Sequence, residues 1–203
     1  MPSESDAIPN PGFEPQVFWE LHKAKIIIYG VLLVVALLVF SIYQYTSQRR
    51  TAAAGSLLAQ AGKAEDYRQI MAKYPRTVAA GNAHLLLAKE LREAKQYEEA
   101  TSLLREFTQK FPEHPLVSAG WLSLAETLKS AGKTDEAADT YQQIASKFPD
   151  SFAAPLAAME QADLLKSNGK TDEAKRAYEN IIAQYPESMI AQQATREMRL
   201  LRK

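Results

Sequence analysis

The chain is 203 residues long, room for one ordinary domain and an appendage, and carries 24 Lys and Arg against 24 Asp and Glu. That neutral balance gives no support to a nucleic-acid binder, which needs a basic excess to neutralise phosphates. There is no cysteine, so disulfides and thiolate chemistry are excluded, and the Ala-, Leu-, Glu- and Lys-rich composition is that of a helical protein.

Residues 1–15 hold four prolines and no hydrophobic period, which predicts a disordered tail. Residues 16–25 begin a helix. Ile26 to Tyr43 then run 18 positions without a charge. As a helix this stretch rises about 27 Å, close to the thickness of a bilayer's hydrocarbon core. Trp19 precedes it, Lys23 and Lys25 flank one end, and Tyr43, Tyr45, Arg49 and Arg50 flank the other. A transmembrane signal anchor over 26–45 is expected. A cleaved signal peptide is the main alternative, with Ala52–Ala54 as a cleavage site. Against it stand the long, acid-containing leader and the intervening Arg49 and Arg50. A core helix would need a polar stripe, which this run lacks.

Residues 46–74 keep a helical pattern with a turn near Gly62, and then a repeat takes over. Pro75, Pro112, Pro149 and Pro186 stand 37 residues apart, each behind an aromatic: Tyr74, Phe111, Phe148, Tyr185. At the same period Ala88, Ala125 and Ala162 coincide, as do Ala100, Ala137 and Ala174. Leu91, Leu128 and Leu165 also align, as do Leu104, Tyr141 and Tyr178, and Phe107, Ile144 and Ile181. So many matches at one period mean internal repetition. Each block reads as two helices. Thr77, His114, Ser151 and Ser188 stand where the first helix starts, three of them with a capping hydroxyl and His114 followed by a first-turn Pro115. Gly132 and Gly169 end the first helix, and Thr134-Asp-Glu and Thr171-Asp-Glu open the second with a capping hydroxyl and two acids.

The middle block, through Trp121, Leu124, Ala125, Leu128, Gly132, Ala137, Tyr141 and Pro149, resembles the tetratricopeptide repeat, lengthened from the usual 34 residues to 37. The expected fold is all-α: one transmembrane helix followed by a tetratricopeptide-type right-handed solenoid. It has a degenerate opening repeat within 46–74, full repeats at 75–111, 112–148 and 149–185, and a capping helix over 186–203 that ends in Arg196, Arg199, Arg202 and Lys203.

A short tail, one span and directly fused repeats are similar to the YfgM-type ancillary subunits of the bacterial Sec translocon, and to the repeat domain of the envelope's cell-division coordinator. The resemblance covers 16–203. It implies a single-pass inner-membrane protein with a cytoplasmic amino terminus and periplasmic repeats, linking the translocon to periplasmic folding factors. The charges flanking the span leave topology tied by the positive-inside rule, although the lysines lie nearer the apolar run than the arginines do.

No catalytic constellation appears, and neither a cofactor nor a small-molecule substrate is expected. His22, His84 and His114 lack second metal ligands at helical spacing, and His84 falls on a core position. Glu98-Glu99 and Asp135-Glu136 sit where first turns favour acids, and there is no phosphate-cradling glycine loop. The candidate binding surface is the inner face lined by the first helix of each repeat. By register its polar residues are Asn82, Lys89, Arg92, Glu126, Lys129, Glu160, Asp163 and Lys166, with Arg92, Lys129 and Lys166 recurring as a basic ladder. The competing interpretation is a solvated face stitched by Glu126–Lys129 and Asp163–Lys166 pairs within each helix. The clamp some family members use for chaperone tails requires Lys and Asn where this chain has Leu85 and Lys89. Two functions follow: an adaptor binding proteins or peptides in the groove, or a scaffold whose repeats stack between copies.

Overall fold

The computed structural model describes residues 15–201, and the expected tail lies outside the described residues except for Pro15, which opens the first helix. Arg202 and Lys203 of the expected cap also lie outside them. The chain divides between Arg49 and Arg50 into two units. The elements are α1 (Pro15–Gln60), α2 (Ala64–Lys73), α3 (Val78–Glu93), α4 (Tyr97–Lys110), α5 (Val117–Ser130), α6 (Thr134–Lys147), α7 (Ala153–Ser167), α8 (Thr171–Gln184) and α9 (Met189–Leu200). Among the described residues there is no strand.

The first unit carries the apolar part of α1. Between His22 and Gln60 this helix is long and apolar enough to cross a membrane, and its apolar window buries nothing against the protein. Ile27, Leu33, Val39 and Phe40 are all exposed.

The second unit is a solenoid of stacked helix pairs: α3 with α4, α5 with α6, α7 with α8, opened by α2 and closed by α9. The repeated positions build its core. Ala100, Ala137 and Ala174 are fully buried, so the two helices of each pair approach closely. Leu104, Tyr141 and Tyr178, with Phe107, Ile144 and Ile181, fill the space between pairs. One apolar cluster runs from Tyr67 to Ala157, and a second, centred on Met159, Tyr178 and Ile181, closes the carboxyl end. No pair buries its apolar face alone, which is why the repeats stack.

The chain turns are set by a few residues. In the second helices, Tyr74, Phe111, Phe148 and Tyr185 are C-caps, each closing the last turn through its own N–H onto the carbonyl four residues back. The proline that follows supplies no N–H and stops the helix. First helices end in Schellman motifs. Gly132 and Gly169 take φ of 78° and 75°. The Gly132 N–H reaches the Lys129 carbonyl at 3.1 Å and the Lys133 N–H reaches that of Leu128 at 3.0 Å. In the first repeat Lys95 fills this left-handed position at φ 60°.

Helix starts depart from expectation at several points. Thr77 and Ser188 do cap, accepting from the Ala80 and Ala191 N–H groups. Ser151 does not: α7 is capped by Phe152, and the Ser151 hydroxyl donates back to the Phe148 carbonyl at 2.8 Å. The His114 position is also different, because α5 starts at Val117 and leaves Pro115 outside the helix. Thr134 and Thr171 are the first helical residues, not caps, with Lys133 and Lys170 before them. The acids behind them lie in the first turn, where the helix dipole favours them.

Candidate binding face

First helices define one face of the solenoid. α5 touches α7 and α7 touches α9 directly, and among the described residues no two second helices approach as closely. The first helices therefore occupy the tighter, inner side of the stack.

Asn82, Lys89 and Arg92 lie on α3, Glu126 and Lys129 on α5, and Glu160, Asp163 and Lys166 on α7. The structure joins the three recurring cations to acids of the next repeat. Arg92 Nη1 donates to Glu126 Oε2 at 2.7 Å. Lys129 donates to Glu160. Lys166 donates to Glu197 on α9 at 2.7 Å and stands 3.6 Å from Asp163 on its own helix. Of the two within-helix pairs considered from sequence, Asp163–Lys166 forms, while Glu126 is paired to Arg92 across the repeat junction. Lys89 is exposed and paired with Glu93 at 3.8 Å. Asn82 is half-buried, and its side-chain oxygen is shielded without a hydrogen-bond partner. The ion pairs are part-exposed, so each contributes about 0–1 kcal/mol and weakens with salt.

Three features were missed in the sequence. Glu197 belongs to the face, and the 31-residue interval that links Lys129 to Glu160 and Lys166 to Glu197 was the available signal. Behind the face, the Tyr178 hydroxyl donates to Asp163 Oδ1 at 2.5 Å, while the Tyr141 hydroxyl, one repeat earlier, is buried with no partner. Burial pushes both phenols well above their ordinary range, Asp163 adding to the effect at Tyr178 and Glu160 and Glu126 at Tyr141. The hydrogen bond from Lys166 to Glu197, above all, raises the ammonium's pKa.

The third feature is an aromatic knot at the junction of α3, α4 and α5. Phe107 stacks near Phe111 at 5.6 Å and meets the His114 ring edge-on at 5.2 Å. His114 places Nε2 3.2 Å from the Val78 carbonyl oxygen and accepts the Leu116 N–H at Nδ1, 3.0 Å away. His84 is buried, with Nδ1 2.8 Å from the Ala80 carbonyl and Nε2 3.6 Å from Glu106. Glu106 itself is held below the usual carboxylate range, chiefly by its hydrogen bond from Lys110. Both histidines serve packing here. Among the described residues no three His, Asp or Glu side chains converge to hold a metal ion. A second open groove, of about 560 Å³, lies against α4, α5 and α6, with Lys147 Nζ 4.0 Å from the Trp121 ring centre.

A family model described as a tetratricopeptide repeat-like domain matches residues 16–200. The chain belongs to the tetratricopeptide repeat-like family. The match takes in the apolar helix as well as the repeats. No curated protein gives a significant sequence match. Solved structures share the family's fold. The chain is similar to BtubC (BKLC) from P. vanneervenii, with 19% identity and a TM-score of 0.54 over 76% of this chain, and it spans 65% of that protein's length. It is also similar to a Podosopora anserina protein described as a kinesin light chain with nearly identical TPR-like repeats. There the identity is 19% and the TM-score 0.56, over 77% of this chain and 82% of that one. A second crystal structure of that protein, carrying one substitution, matches at 18% identity with the same TM-score. At such identities the likeness establishes the fold alone.

Proposed function

We propose that the chain is a membrane-anchored, non-catalytic adaptor that binds a protein or peptide on the inner face of its repeats. The observation that carries this reading is the junction-spanning row of charged side chains on α3, α5, α7 and α9, in a chain that also carries an apolar helix long enough to span a bilayer. A preformed surface of polar groups at helical spacing presents repeated hydrogen-bonding positions to an extended or helical segment. Asn82, Lys89, Arg92, Glu126, Lys129, Glu160, Asp163 and Lys166 are its proposed contact residues. The resemblance to YfgM-type subunits supports a bacterial inner-membrane location with periplasmic repeats, and translocon subunits and periplasmic folding factors as partners.

Two fractionations test the anchor and its orientation. Full-length chain stays with membranes after alkaline carbonate washing, and protease added to intact spheroplasts digests the repeats. Release by carbonate removes the anchor from the account. Protection until lysis places the repeats in the cytoplasm and ends the periplasmic role.

A further inference from the structure

Exposed apolar side chains are unevenly placed on the solenoid. Among the described residues from Arg50 onward, six large ones are exposed: Val78, Leu86, Leu116, Phe152, Met189 and Leu200. Four of the six stand where a first helix begins. Val78, Phe152 and Met189 lie at multiples of the 37-residue period, and Leu116 is one place beyond the matching Pro115. Phe152 is 60% exposed and Met189 83%. The turn prolines just ahead of them in the chain, Pro75, Pro112, Pro149 and Pro186, are exposed too. Single exposed apolar residues are ordinary on a protein surface, but recurrence at one register makes an apolar edge.

Helices α2 to α9 pack in sequence through short turns and so alternate in direction, which brings the starts of α3, α5, α7 and α9 to one edge. The chain enters the solenoid at that same edge. Ala54 is fully buried, and Leu57 and Leu58 pack with Tyr67 and Ile70 of α2, so the carboxyl end of α1 acts as the first helix of the opening repeat. Arg50 comes only seven residues after Tyr43, the last of the uncharged run. Chain length alone keeps the two within about 25 Å.

We propose that this edge rests on the bilayer interface, with Val78, Leu116, Phe152 and Met189 set among lipid headgroups and upper acyl chains. This rests on the anchored reading above. A body tethered so closely to a span meets lipid at a high effective concentration, so weak apolar contacts suffice to hold it there. The exposed prolines have no N–H to desolvate at such a surface. Charge decides which lipid it takes. Arg76, Glu113, Asp150 and Glu187 are exposed in the same four turns, and exposed Lys73, Lys110 and Lys147 stand just behind them. An edge of mixed sign gains little from anionic headgroups, so burial of apolar side chains drives the contact and a zwitterionic surface serves.

Full-length chain in phosphatidylcholine vesicles tests this. With no native cysteine, single cysteines can be introduced and labelled with bimane. Asp150→Cys reports the edge and Asn168→Cys the opposite end of α7, both positions being exposed, while Tyr43→Cys reports the span. Vesicles dilute enough in protein to hold single chains carry doxyl-phosphatidylcholine as quencher. Bimane at 43 and 150 is quenched, and at 168 at least about threefold less. Phe152→Ser combined with Met189→Ser lowers quenching at 150 by about threefold, with quenching at 43 and the melting temperature unchanged because both side chains are exposed. Added salt or phosphatidylglycerol changes little. Quenching at 43 but not at 150 overturns the proposal and leaves the anchor intact. Equal quenching at 150 and 168 also overturns it, as does quenching at 150 that survives the double substitution or needs phosphatidylglycerol. A bimane blue shift at 150 that lipid does not quench, and that grows with the number of chains per vesicle, assigns the edge to a second copy instead. Absence of quenching at 43 removes the anchor, and the proposal with it.

Discussion

A Cβ on Gly120 would lie 2.3 Å from Cε1 of Phe107 and 2.5 Å from its Cδ1. The ring cannot retreat, being fully buried between Phe111 and His114. Gly120→Ala therefore overpacks the junction of α4 and α5 and costs about 1–3 kcal/mol, beyond the roughly 1 kcal/mol that alanine gains in a helix. Gly55 supplies the control, since nothing lies within 4 Å of its Cβ position in α1. There alanine stabilises. Urea denaturation of the two variants checks the opposite signs.

Lys95 is the only non-glycine among the described residues with a positive φ, at 60°, in the position that Gly132 and Gly169 fill in the later repeats. Lys95→Gly relieves a left-handed backbone whose cost is about 1–2 kcal/mol, less the extra chain entropy of glycine. A net gain of about 0.5–1 kcal/mol in the same denaturation assay is expected. A loss would show that the lysine side chain contributes more than its backbone costs.

Alkaline pH weakens the solenoid. Tyr141, Tyr178 and Lys166 all have folded-state pKa values raised above their ordinary ones, the two phenols mainly by burial and the ammonium mainly by its bond to Glu197. A raised folded value means the folded state holds its proton more tightly than the unfolded state. The stability it contributes is whole below the unfolded pKa, near 10 for both groups, and is lost as pH rises through the folded value. The urea midpoint should fall as pH rises above about 10, and less steeply in Tyr178→Phe. An equal slope in that variant would contradict the assignment.

Much of the fold was legible because its determinants are local and periodic. The aromatic-proline pairs end one helix each, Gly132 and Gly169 end another, and the buried alanines recur with them. Capping was less legible, because Thr77, Ser151 and Ser188 share a register but not a backbone. A later start to α7 moves the cap to Phe152, and the Pro115 loop delays α5 to Val117. The face residues could be assigned to their helices by register, yet their partners could not. Within one helix, i to i+3 spacing is visible in sequence, and Asp163–Lys166 forms so. The pairing of Arg92 with Glu126 depends on how two stacked repeats rotate against each other. The aromatic knot was hidden for the same reason, since Gly81 and Gly120 admit the His114 and Phe107 rings only once α3, α4 and α5 are packed.

The central claim is that the inner face recognises other proteins, and site-specific photocrosslinking in membranes tests it most directly. A photoreactive residue replaces exposed Lys89 on α3 in one full-length variant and exposed Gln142 on α6 in another. The account predicts adducts with a different protein from position 89, reduced by Arg92→Gln, and few from position 142. Adducts with further copies of this chain alone, or equal heterologous capture from both positions, would contradict it.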